Sequence, residues 1–221
     1  MADDAKTIEA PARAHRKPIG ALLLELMMIG VGVFLGATAE QWRDTRHHRA
    51  LVTASLQNFH REMLANRGRI QARREYHEAL GKGVLGFMSS DGPPTLQRLL
   101  TAAKFRGMQP VDLEHTAWDL ALATQALGDI DPPLALAISH VYSVQQGFVS
   151  MQSGFMANAL SPATFANANN ATGLAIAMSS YLGDVNIQEP GLMQLYDRVV
   201  PRIDSVLGPA GVPRDTVPKK T

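Results

Sequence analysis

One pair of residues in this chain has the spacing of an acid/base couple: His115 and Asp119 stand a helical turn apart, with Trp118 beside them. On a helix that spacing puts an imidazole within hydrogen-bond reach of a carboxylate. General acid/base catalysis or metal binding needs further convergent ligands or a nucleophile, and His140 is the only other histidine beyond residue 80. A lone couple of this kind is more often an ordinary surface or buried hydrogen bond. His47 and His48 are adjacent, so on a helix their side chains diverge by about 100° and cannot share a metal as an i, i+4 pair does. The chain has no cysteine, which removes disulfides, thiol catalysis and zinc-thiolate sites together. It also contains no Gly-Lys-Ser/Thr phosphate loop, GxSxG turn, HExxH or dinucleotide fingerprint. The residues therefore indicate a protein that is not an enzyme, with no catalytic residue, metal or cofactor site.

The charged residues are distributed without a nucleic-acid footprint. Residues 40–80 carry eight basic against five acidic residues, whereas residues 81–221 carry nine against eleven. Binding phosphates along a nucleic acid needs a dense basic surface, and here the excess is confined to one segment. Arg67, Arg69, Arg73 and Arg74 read as a solvated helix face, and the basic segment suits lipid headgroups or a protein partner.

The elements that carry these residues begin with residues 19–39, IGALLLELMMIGVGVFLGATA, apolar apart from Glu25 and interspersed Gly and Thr. At about 1.5 Å per residue they cover roughly 30 Å, the hydrocarbon thickness of a bilayer. The run exceeds a signal-peptide core, and Glu40-Gln41-Trp42-Arg43 continues the helix with an aromatic residue placed as an interfacial anchor, so a retained span is expected over cleavage after Ala39. Arg16 and Lys17 before the span favour a single-pass inner-membrane protein with a cytoplasmic N-terminus and a periplasmic domain; a cytoplasmic domain is the alternative. At 100° per residue, Ala21, Glu25, Gly32, Gly36 and Ala39 share one face. Small residues let helices approach closely, and an ionisable group in a bilayer turns toward protein or water, so this stripe is a candidate contact with another copy or a different membrane protein. The plainer reading has Glu25 reaching toward the headgroups.

Beyond the span, Val52, Leu56, Phe59, Met63, Asn66, Ile70, Arg73, His77 and Leu80 alternate spacings of four and three, a coiled-coil-like heptad seam. Its polar members favour packing against later helices of the same chain over a homodimeric coil. Gly81-Lys82-Gly83 can interrupt or bend this helix, and Asp91-Gly92-Pro93-Pro94 is a turn. Further helices are expected from Thr95 to about Phe105, from Asp112 through Leu127, from Pro132 to about Leu160, from Pro162 to Leu182 and from Leu192 to Leu207, with a loop over residues 183–191 around Pro190. Alanine, leucine and methionine are abundant and aromatic content is 6%, with no Val/Ile/Thr alternation, which gives an all-α class. The expected order is a flexible tail (1–18), a transmembrane helix (19–39), a long juxtamembrane helix (40–80), a helical bundle (81–207) and a disordered tail (208–221).

The run from Glu25 to Gly36 followed by Glu40-Gln41-Trp42-Arg43 resembles the start of a bacterial family of uncharacterised single-span membrane proteins with a domain of unknown function. Thr116-Ala117-Trp118, Gly128, Leu134 and Tyr142 look more loosely like that family's later helices. At Gly36-Ala37-Thr38-Ala39 the family more often has bulkier residues. The resemblance implies a membrane anchor with a helical domain and supplies no catalytic residues. The expected function is a membrane-anchored interaction or scaffold component; the alternative is a tethered sensor whose bundle binds a small ligand.

Overall fold

The computed structural model describes residues 19–159 and 170–213. The N-terminal tail, the helix start at Ser161-Pro162 and the terminal Lys219-Lys220 lie outside the described residues. Five α-helices and a 3₁₀ turn follow one another, with no strand among the described residues: α1 (Ile19–Met88), α2 (Leu96–Ala102), α3 (Thr116–Ala123), the turn Ala126–Asp129, α4 (Pro132–Ala159) and α5 (Ala171–Gly211). The all-α class and the long first helix are as the sequence indicates. The chain divides into two units, Met1–His47 and His48–Thr221.

In the first unit, α1 is exposed all round from Leu23 onward, and ten large apolar residues from Leu23 to Leu35 are each 53–68% exposed. Glu25 is the one ionisable residue between Leu23 and Ala39. The helix is long and apolar enough to cross a membrane.

In the second unit, α1 buries Leu56, Phe59, Met63, Ile70, Leu80 and Val84 on one stripe. The buried stripe of α4 is Leu134, Ile138, Val141, Gln145, Phe148 and Gln152, spaced 4, 3, 4, 3 and 4, and α5 packs along α4 and buries Leu174, Met178, Leu182, Val185, Leu192 and Tyr196. These repeats of three and four put one side of each helix into a shared core.

Three boundaries differ from the sequence expectation. The Gly81-Lys82-Gly83 segment does not break α1; at Gly83 an added Cβ would lie 2.5 Å from the Ala103 Cα and 2.7 Å from the Ala102 carbonyl oxygen, so glycine here serves close approach of two backbones. No loop forms over residues 183–191. Instead α5 runs through Pro190 and Pro201, because Val185, Glu189, Leu192 and Met193 continue its buried face, and tertiary packing outweighs the prolines' missing donors. Gly208, at φ +66°, marks the interruption near its end. Finally, Asp112 does not cap a helix. His115 occupies the N-cap position of α3, which ends at Ala123, while residues 106–115 run as a non-helical strap.

Candidate functional site

The strap lies outside every helix, and buried side chains of the neighbouring helices tether it. Met108, Val111 and Leu113 are buried, so its backbone must find hydrogen-bond partners away from water. Buried polar side chains on the helices supply them. Asn66 spans both backbone groups of Glu114: the Glu114 N–H donates to Asn66 Oδ1 at 2.9 Å, and Asn66 Nδ2 donates to the Glu114 carbonyl at 2.7 Å. Gln152 does the same at Val111, accepting from its N–H at 2.8 Å and donating to its carbonyl at 3.1 Å. Each amide pairs with one residue of extended chain as a neighbouring strand would.

A second layer orients the first. Gln145 Nε2 also donates to the Glu114 carbonyl at 2.7 Å, and its Oε1 accepts from Asn66 at 3.2 Å and from the Tyr196 hydroxyl at 2.8 Å. Burial, then the charge of Glu62, pushes the Tyr196 phenol well above its usual range, so it stays a donor. At the other end, the Tyr76 hydroxyl donates to the Gly107 carbonyl at 2.6 Å and accepts from the Arg106 N–H at 2.9 Å. Gly107 has φ +93°, a conformation that favours glycine, and it turns the chain into the strap.

His77 and Glu189 complete the tethers. Both side chains are fully buried, with Nδ1 and Oε1 2.6 Å apart, and His77 Nε2 lies 3.1 Å from the carbonyls of both Met108 and Gln109. Burial disfavours charge on the imidazole, but the Glu189 carboxylate and the two carbonyls outweigh it and hold His77 above its ordinary pKa.

The residues singled out by sequence occupy distinct places. Leu56, Phe59, Met63, Asn66 and Ile70 are buried within the chain itself, Val52 is half-buried, and Arg73 is exposed, bonded to the Gln109 side chain. Glu25, Gly32, Gly36 and Ala39 lie on the exposed surface of the first unit. Trp42 is 62% exposed, with the Arg46 guanidinium 3.7 Å from its ring centroid. His115 and Asp119 do bond at 2.7 Å, on the surface, beside a cleft of about 390 Å³ lined also by Trp118, Ser139, Tyr142 and Ser143. His48 bonds Asp129 at 2.6 Å. Arg67, Arg69 and Arg74 face Asp197, Glu114 and Glu78, so carboxylates already engage the arginine face. Among the described residues no group of three or more His, Cys, Asp or Glu could hold a metal ion.

Sequence reading missed Glu62, Gln145, Gln152, Glu189 and Tyr196. The two glutamines carried a signal: they stand seven apart on the apolar stripe of α4, as Asn66 does on that of α1. Polar residues in register with a core stripe mark positions with a buried partner. The arrangement holds a polypeptide segment, bond by bond, inside a helical bundle. No family model, curated protein or solved structure matches this chain.

Proposed function

We propose that the chain is a membrane-anchored interaction or scaffold protein without enzymatic activity, its apolar helix crossing the inner membrane once and its bundle lying in the periplasm. The observation that carries the reading is the exposure of ten large apolar side chains between Leu23 and Leu35, with Glu25 the one ionisable residue among them. Each large side chain left in water forgoes about 1.5–3 kcal/mol of burial, a penalty that a bilayer removes. Trp42, stacked with Arg46, sits where an interfacial anchor belongs, and Glu25, Gly32, Gly36 and Ala39 are the proposed contact to a second copy or a membrane partner. The likeness of Glu25 to Gly36 and Glu40-Gln41-Trp42-Arg43 to the start of bacterial single-span membrane proteins supports the same reading.

The test is fractionation followed by affinity purification from detergent-solubilised membranes. The expected result is an alkali-resistant membrane protein that retains residues 19–39 and whose Glu25→Ala variant loses partner recovery or changes oligomer size. A soluble product beginning near residue 40 overturns the anchor; unchanged recovery and size overturn the role of Glu25.

A second reading, a tethered sensor, draws on the cleft beside His115, which Asp119, Ser139, Ser143 and Gln146 line together with Trp118 and Tyr142. Small ligands of bundle proteins bind between helices in such places.

A further inference from the structure

The environment of His77 is composed entirely of acceptors. Nδ1 faces a carboxylate oxygen of Glu189, and Nε2 faces two backbone carbonyls. A neutral imidazole has one N–H and one bare nitrogen. With Nε2–H committed to the strap, the 2.6 Å contact between Nδ1 and Oε1 is attractive only if a second proton lies in it. That proton can belong to an imidazolium or to a carboxylic acid; in either form the pair is neutral overall. Removing it leaves a carboxylate at zero exposure with no counter-charge on its partner, and burying an unpaired charge costs several kcal/mol. The second oxygen, Oε2, is also buried and has no hydrogen-bond partner among the described residues, so the carboxylate has little other support there.

We propose that the His77–Glu189 pair is a proton-operated latch on the strap: with its shared proton it holds residues 106–115 against α1, and loss of that proton releases them. The strap is the element that responds, because His77 Nε2 is bonded to it directly at Met108 and Gln109. This inference is independent of the membrane reading. It concerns only the second unit.

The surrounding groups do not supply a substitute charge. From α1, the Tyr76 ring lies 6.0 Å from the His77 ring, and Arg73 is turned to the Gln109 side chain. From the strap, Arg106 lies over the Tyr76 ring at 4.9 Å. From α5 comes Tyr181, whose buried hydroxyl has no hydrogen-bond partner among the described residues and senses the Glu189 charge. The sequence of α4 contains no Asp, Glu, Lys or Arg, and Arg98 of α2 is engaged by Ser90 and the Asp91 carbonyl.

The sign follows from linkage. The latched form binds the proton more tightly than the released form, in which a histidine titrates near pH 6.5. Latching is therefore complete below about pH 6.5 and weakens by up to about tenfold per pH unit until the latched pair itself has titrated.

The experiment is amide hydrogen exchange on the full chain in detergent, from about pH 6 to pH 9 and corrected for intrinsic exchange, in the wild type and in Glu189→Gln. In the wild type, protection over residues 106–115 should fall by up to about tenfold per pH unit, while the centre of α4 stays protected. In Glu189→Gln the amide donates to a neutral His77, no proton is lost, and strap protection should become flat with pH. Flat protection in the wild type, or an equal slope in the variant, overturns the latch. If Glu189→Gln does not fold, nitrogen chemical shifts of His77 in the unaltered protein decide. Deprotonation that coincides with strap release supports the proposal, and deprotonation without release, or no deprotonation where release occurs, overturns it.

Discussion

The Tyr142 hydroxyl donates to Glu62 Oε1 at 2.7 Å inside the core, while the other oxygen of the same carboxylate accepts from the Ala117 N–H at 2.8 Å. One buried side chain of α1 thereby ties α4 to the first turn of α3, where a negative charge is also favoured by the helix dipole. Tyr142→Phe keeps the ring between Phe59 and Trp118 but deletes a hydrogen bond to a charged acceptor. It should cost about 1.5–3 kcal/mol in chemical unfolding of the second unit. A loss below about 0.5 kcal/mol would show that Glu62 is held by Ala117 alone.

The amide clamps predict a different kind of damage. Asn66→Ala leaves both backbone groups of Glu114 short of a partner, and Gln152→Ala does the same at Val111. Each should destabilise the second unit by about 1–3 kcal/mol and raise hydrogen exchange first over residues 106–115. Because the two clamps hold one segment, the double variant should cost less than the two single losses together. Additive losses would mean that the strap does not release as a unit.

What the sequence revealed and concealed follows from where the information lies. The apolar run from Leu23 to Leu35 and the repeat from Leu56 through Ile70 are local patterns, and they announced a membrane-length helix and a packed helix face directly. Asn66 and His77 stood out as polar members of that repeat, but their partners lie 48 and 112 residues away, and no spacing rule connects them. The strap was hidden for the same reason. Asp112 is a good helix-capping residue, yet Asn66, Gln145 and Gln152 offer the backbone an extended alternative that local propensity does not include. Pro190 misled in the opposite direction, since it signals a break that the buried face of α5 overrides.

Tyr142, Tyr181 and Tyr196 should resist ionisation while the bundle is intact. Burial pushes Tyr181 up to about 12, with the Glu189 charge adding to it, and pushes Tyr142 and Tyr196 higher still. A phenol whose folded pKa lies above its unfolded value contributes stability that is complete below the unfolded value, about pH 10, and is lost as pH rises through the folded one. Phenolate absorbance from these three should therefore rise steeply together with loss of helical circular dichroism. Ionisation of Tyr142, Tyr181 and Tyr196 near pH 10, with the helices intact, would contradict the burial of these rings.

The glycines of α1 offer paired substitutions with opposite expected signs. At Gly68 and Gly86 an added Cβ meets nothing within 4 Å, so alanine should stabilise the helix by up to about 1 kcal/mol through its better propensity. At Gly83 the same Cβ would meet backbone atoms of Ala102 and Ala103, which cannot swing aside as a flexible side chain would. Gly83→Ala must move the end of α2 away from α1, disturbing Leu99 and Ala103 in the core, and should cost about 1–3 kcal/mol despite the same gain in propensity. Thermal unfolding of the three variants in one detergent separates the effects. If Gly83→Ala proves as benign as Gly86→Ala, α2 does not pack against α1 at the distance described, and the continuation of α1 past Leu80 loses its steric explanation.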